Sequence, residues 1–164
     1  MNIFYVDYDA RLAARALCDK HVVKMILESA QLLCTAHHVI PRWKDELPEK
    51  FYKATHKNHP CAIWTREYLG NYCWLALHAI YLCEEYTYRY NKKHATEDLI
   101  WWCAEHTAYE KYDPNGIDPP QCMPDEYKME DTVEAYRRYY NECKRNTIQM
   151  KWTRRNPPKW WTIC

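Results

Sequence analysis

Asp19-Lys-His-Val-Val-Lys-Met-Ile-Leu-Glu-Ser-Ala-Gln-Leu-Leu-Cys-Thr-Ala-His-His38 reads as a helix that is apolar around most of its circumference. At about 100° of rotation per residue, His21, Lys24, Glu28, Gln31, Thr35 and His38 fall within an arc of roughly 100°. Val22, Val23, Met25, Ile26, Leu27, Ala30, Leu32, Leu33 and Cys34 cover most of the rest. An ordinary surface helix has these proportions reversed. A helix packed on most sides needs neighbours on most sides, and the remaining segments supply helices rather than strands. Its polar strip is either satisfied internally or turned toward a cleft. The strip holds an imidazole, an amine and a carboxyl within one or two turns, which makes His21, Lys24 and Glu28 the candidate catalytic residues and Gln31 their neighbour on the same face.

Working outward, Asp9 is placed to cap a helix from Ala10 to about Leu17, and Asp19 to cap the next helix or continue the first through a kink. Asn2 to Val6 reads as a short strand or an extended arm. The segment from Pro41 to His59 reads as a loop. Asn58-His59-Pro60 is a helix start, because proline is favoured in the first turn where its missing N–H costs nothing. From there one long helix is expected to run to about Asn91, with Cys61, Trp64, Tyr68, Tyr72, Leu75, Ala79, Leu82 and Tyr86 along one face. Thr96 would cap a helix from Glu97 to Tyr109, and Asp131 a last one to about Arg145. Asp113 to Pro124 holds four of the nine prolines and is not regular structure. The expectation is a single all-α domain over residues 1–164, of about four to five helices around a long central one, with long functional loops and a basic, aromatic C-terminal tail.

Composition removes several function classes. With Gly70 and Gly116 as the two glycines, the Gly-rich phosphate loops, dinucleotide fingerprints and nucleophile elbows that need several at fixed spacing are excluded. The net charge of +1 gives no global electrostatic footprint, so a nucleic-acid surface would have to be local. The basic run from Lys151 to Lys159, interleaved with Trp152 and followed by Trp160 and Trp161, is one such place. It reads equally as a tail that packs its tryptophans onto the body. Fifteen Tyr and eight Trp against two Phe suit half-wet surfaces and base-stacking platforms, and can also build a core. Nine cysteines without a CxxC pair fit reduced thiols in a cytosol-like compartment. Cys18-x-x-His21 and His56-x-x-His59 have ligand-like spacing, but no four-ligand pattern is visible, so neither a metal nor a cofactor is expected. No run is long and apolar enough for a membrane span.

Three constellations could carry chemistry. Lys24 and Glu28, at i and i+4, meet on a mostly apolar helix, where both must pair or shift their pKa values. Lys24 is then a candidate imine-forming nucleophile, Glu28 an acid/base, and His21 a group that tunes either. A buried network bracing the loops is the alternative. Second, His56, Lys57, Asn58 and His59 at a helix start suit an anion such as phosphate. Third, the Met123-Pro-Asp-Glu-Tyr-Lys128 loop with Tyr127, the Tyr136-Arg-Arg-Tyr-Tyr140 helix with Arg137 and Tyr140, and Arg154 in the tail could clamp a stacked base against phosphate.

With these residues in view, the chain resembles the pyrimidine-dimer DNA glycosylases of the phage endonuclease V type. The likeness lies in the N-terminal arm leading to Asp19-x-His21 with Glu28 seven residues beyond the His, in the Asn-His-Pro opening of a central helix, and in the aromatic, basic C-terminal part from Tyr136 to Trp161. The stretches Asp19 to Met25 and Met123 to Lys128 also resemble phage and bacterial proteins, a likeness that carries no function. The first resemblance implies a small all-α enzyme that flips a nucleotide out of DNA and cleaves its glycosidic bond. It matches Glu28 to the catalytic glutamate and His21 to a residue near the DNA backbone. The family's nucleophile is the α-amine exposed when Met1 is lost ahead of a small residue. Asn at position 2 disfavours that loss, so the amine of Met1 or Asn2 serves, or Lys24 replaces it, or lyase chemistry is absent.

The expected function is therefore cleavage of an N-glycosidic bond in DNA, with abasic-site lyase chemistry as a possible second step. Two alternatives remain at this level: a pyrimidine- or nucleotide-modifying enzyme of a phage nucleic-acid pathway in the host cytosol, and a non-catalytic ligand-binding or inhibitor protein. The expected partner is DNA or a nucleotide, and no membrane.

Overall fold

The computed structural model describes residues 1–162, and the ninth cysteine, Cys164, lies outside the described residues. The described chain is helical: α1 (Ala10–Ala16), α2 (Asp19–Val39), α3 (Pro60–Glu67), α4 (Leu69–Tyr90), α5 (Glu97–Glu105), α6 (Thr132–Tyr139) and a last turn α7 (Arg145–Thr147). A 3₁₀ turn spans Asp125–Tyr127, and a π-turn, Tyr140–Lys144, joins α6 to α7. Helix α4 is the centre, packed by α1, α2, α3 and α5, and α2 lies across α3, α4 and α5. Tyr72, Leu75, Ala79 and Leu82 of α4 meet Met25, Ile26, Leu32 and Leu33 of α2 in the core.

Two caps stand where the sequence puts them. The Asp9 carboxylate accepts the N–H groups of Arg11 and Leu12, and that of Asp131 accepts the N–H of Glu134. Asp19 does not cap α2: it is the first helical residue, after Cys18. Its carboxylate is taken instead by Arg89 (3.1 Å) and by Thr153 Oγ1 (2.7 Å). Arg89, wholly buried, also donates to the carbonyls of Leu17 and Arg15 and to Glu85. This network closes the α1–α2 corner onto the C-terminal end of α4. The basic tail shares in it: Trp152 Nε1 donates to the Ala16 carbonyl (2.9 Å), and the Trp152 and Trp161 rings pack at 5.2 Å. Of the two readings of the tail tryptophans, packing against the body is the one observed. The Thr96 side chain likewise makes no cap bond, but meets the Tyr52 hydroxyl at 3.0 Å.

The expected helix from Pro60 to Asn91 is two helices, broken at Tyr68. The break has a tertiary cause. Residues 110–113 dock beside it, so that Glu110 N–H donates to Arg66 O, Lys111 N–H to Glu67 O, Leu69 N–H to Lys111 O and Gly70 N–H to Asp113 O. The interrupted ladder is thereby re-satisfied. Gly70 is what lets the loop in: a Cβ there would stand 2.5 Å from Gly116 N. Of the strand and the extended arm read for Asn2 to Val6, the strand does not form. Ile3, Phe4, Tyr5 and Val6 are buried.

Candidate active site

Helix α2 presents Glu28 at the edge of its buried face, with the side chain 14% exposed. Oε1 pairs with Lys24 Nζ at 3.1 Å, and Oε2 accepts the backbone N–H of Asn2 at 3.1 Å. Asn2 is held on both sides. Its Oδ1 accepts the N–H groups of Ile3 (2.7 Å) and Phe4 (3.0 Å), and its Nδ2 donates to the Cys122 carbonyl at 2.9 Å. Phe4 sits at φ 55, a left-handed conformation that costs a phenylalanine on the order of 1–2 kcal/mol. Its ring stacks on His21 at 4.2 Å and meets Tyr136 and Tyr140 edge-on, which holds the strained arm in place. The result aims one backbone nitrogen of a buried arm at one carboxylate.

A second wall comes from the start of α3. His59 is the N-cap, its Nδ1 accepting the N–H of Cys61 at 3.1 Å, and Pro60 follows in the first turn. Cys61 Sγ lies 3.4 Å from Cys122 Sγ, which the proline-rich loop brings over. Burial and the N-terminal amine push the His59 pKa down, with Glu28 acting the other way. The hydrogen bond from Cys61 and the N-terminal amine hold the Cys122 thiol below its ordinary value, while that bond and burial raise Cys61. The N-terminal amine thus acts on His59, Cys61 and Cys122, and Glu28 on His59 and Cys61.

The polar strip of α2 therefore divides. Lys24 is 66% exposed rather than buried, because the outer face of α2 also carries exposed Val23 and Leu27. Glu28 and Gln31 are half-buried beside it. His21 is buried, with its Nδ1 2.8 Å from the Tyr140 hydroxyl. Burial, then Lys144 and Lys24, push its pKa down to about 3, so it stays neutral. His56, at φ 48 and bonded through Nδ1 to Thr55 Oγ1, is exposed with Lys57 and Asn58 just before α3. Lys24, Glu28 and the 56–59 segment are the sequence-selected residues that the fold brings to one side.

Others go elsewhere. Tyr140 is fully buried and accepts the Cys18 N–H at 2.9 Å, so its ring has no face for a base. Arg137 binds the Val6 carbonyl, Asp7 and Glu134, and braces the arm from outside. It also edges two open clefts of about 660 and 610 Å³, both shared with Trp160. Arg154 pairs with the Tyr88 carbonyl at the far end of α4. Tyr127 packs its ring on Tyr139 at 5.3 Å. The Cys18-x-x-His21 pair makes no ligand set, its imidazole being committed to Tyr140. Phe4, Cys61 and Cys122 belong to the site although their spacing in the sequence gives no hint of it. Cys122 is 120 residues from the asparagine it holds.

A family model described as pyrimidine dimer DNA glycosylase matches residues 1–98, which include the arm, α2 with Glu28, and all of α3 and α4. No curated protein and no solved structure matches the chain.

Proposed function

The chain belongs to the pyrimidine dimer DNA glycosylase family, and from that premise we propose that it excises a damaged pyrimidine from DNA by cleaving the N-glycosidic bond at Glu28. The observation that carries the proposal is the 3.1 Å approach of the Asn2 nitrogen to Glu28 Oε2. Loss of Met1, although the asparagine at position 2 disfavours it, would turn that nitrogen from an amide into a primary amine. The amine, its proton passed to Glu28, would attack C1′ of the sugar as the base departs with the bonding electrons. Opening of the ring leaves an imine between Asn2 and C1′. Until it takes that proton, the Glu28 carboxylate would stabilise the positive charge developing on the sugar. In a following step Glu28, its proton given to the opened ring oxygen, would take a proton from C2′ as the 3′ phosphate departs with the electron pair of its bond to C3′, which is the lyase reaction.

Binding groups lie around this centre. Lys24, with His56, Lys57 and Asn58 ahead of α3, offers cations and donors for backbone phosphates. Gln31, one turn from Glu28, is placed for a polar contact with the extruded nucleotide. Tyr140 is left out of the binding set because it is sealed in the core. A second reading of the nucleophile is favoured by one observation: Lys24 Nζ is also 3.1 Å from the Glu28 carboxylate and is solvent-accessible.

The test is borohydride trapping on duplexes carrying a thymine dimer, an abasic site, uracil or no lesion, followed by peptide mapping of the adduct. An adduct on residue 2 is the expected result, and one on Lys24 selects the second reading. Glu28→Gln should lower turnover about 10²- to 10⁴-fold while the protein stays folded. Undiminished turnover in Glu28→Gln would sink the assignment.

A further inference from the structure

We propose that His59, Cys61 and Cys122 bind a zinc ion. Their three ligand atoms all lie within 4.8 Å of one another. The two sulfurs stand 3.4 Å apart. Thiolates sharing a tetrahedral zinc, at Zn–S of about 2.3 Å, stand about 3.8 Å apart, whereas a disulfide requires about 2.05 Å. The sulfur pair needs an outward adjustment of a few tenths of an ångström to share zinc, and an inward collapse several times larger to form a disulfide.

The chemistry of the set agrees with its spacing. Two thiolates and an imidazole make a borderline-soft, charge-neutralising site for a divalent zinc. Zinc binding would displace the Cys61 proton, since a coordinating thiol is deprotonated by the metal. His59 spends its Nδ1 lone pair on one 3.1 Å bond from the Cys61 N–H. Metal binding through Nδ1 gives up that single capping bond, and binding through Nε2 keeps it. Cys61 is buried while His59 and Cys122 are half-buried, so the ion would be reached from one side and keep a position for water.

The site has a purpose in the fold beyond its own stability. Cys122 comes from the proline-rich loop, and its carbonyl takes the Asn2 side chain at 2.9 Å. A zinc ion joining Cys122 to α3 would fix that carbonyl, hence Asn2, hence the nitrogen beside Glu28. The metal is thus a positioning device for the arm, and its existence does not depend on the glycosylase reading.

The experiment is metal analysis of the intact protein purified under reducing conditions and titrated with zinc, beside Cys122→Ser and, as control, Cys143→Ser. One zinc per chain in the wild type and in Cys143→Ser, and none in Cys122→Ser of unchanged circular dichroism, is expected. Cobalt in place of zinc should show thiolate charge-transfer absorption and the intense visible bands of a tetrahedral site, both absent from Cys122→Ser. If Cys122→Ser does not fold, His59→Ala takes its place, with the same loss expected. Zinc below stoichiometry in the titrated wild type, or zinc and cobalt spectra equal in wild type and folded variant, would overturn the proposal. So would a Cys61–Cys122 disulfide persisting in the reduced protein.

Discussion

Acidification should destabilise this protein well before its carboxylates protonate, because three buried histidines have nowhere to put a second proton. His78 Nδ1 faces the Ala10 carbonyl at 3.0 Å, so that nitrogen carries the hydrogen, and Nε2 is buried without a partner among the described residues. His37 is the mirror case. The Tyr72 hydroxyl gives its hydrogen to the Cys103 and His106 carbonyls, so His37 Nε2 must donate to it, which leaves a buried Nδ1 lone pair. His21 accepts from Tyr140, whose oxygen is already taken by the Cys18 N–H. Burial, the largest cause in each case, lowers the pKa to about 4 for His78 and His37 and about 3 for His21, from an unfolded 6.5. The folded state therefore binds fewer protons than the unfolded chain between about pH 6.5 and 4, and stability present above 6.5 is lost as pH falls. At pH 5 each histidine has moved about 1.5 units past its unfolded pKa, worth about 2 kcal/mol, or about 6 kcal/mol for the three. A domain of this size has about 5–15 kcal/mol in all. Urea unfolding followed by tryptophan fluorescence at pH 7.5 and 5.0 should show this loss. His78→Asn, which keeps a donor toward Ala10 and cannot titrate, should remove about one third of it. A urea midpoint that does not move between the two pH values would refute the reasoning.

Three further outcomes rest on particular contacts. Arg89→Met removes the buried cation shared by Asp19 and Glu85, and because Glu85 keeps Arg155 and Asp19 keeps Thr153 it should cost about 3 kcal/mol, the low end for a broken buried pair, in chemical denaturation. Gly70→Ala drives a methyl to 2.5 Å from the Gly116 backbone, and a melting curve should record about 1–3 kcal/mol or more of destabilisation, with the 110–116 loop gaining hydrogen exchange first. Tyr140→Phe strands the Cys18 N–H and should cost about 1–3 kcal/mol. Because that hydroxyl is sealed from solvent, DNA affinity measured by fluorescence anisotropy should be unchanged.

The amphipathic period of α2, the caps at Asp9 and Asp131 and the Asn-His-Pro opening of α3 are local facts, and local facts were enough for an all-α chain with Glu28 on its most informative helix. Propensity and capping act over three or four residues, so such elements can be read without knowing their neighbours. The resemblance drawn from Asp19-x-His21, Glu28 and Asn-His-Pro belongs to the same level. What the local pattern could not carry is anything decided by segments far apart in the chain. It could not break the helix at Tyr68, because the cause is a loop some forty residues later that supplies replacement hydrogen bonds. Nor could it sort the polar strip. His21 is buried because Phe4 and Tyr140 close over it, and Lys24 is exposed because no element of the described residues covers that edge of α2. The approach of Asn2 to Glu28, and of Cys122 to Cys61 and to Asn2, exists only after the arm, α2, α3 and the proline-rich loop have packed. A side chain's chemistry is written in its residue type, but its partner and its solvent are set by the whole chain, since burial and distance are properties of the packed structure.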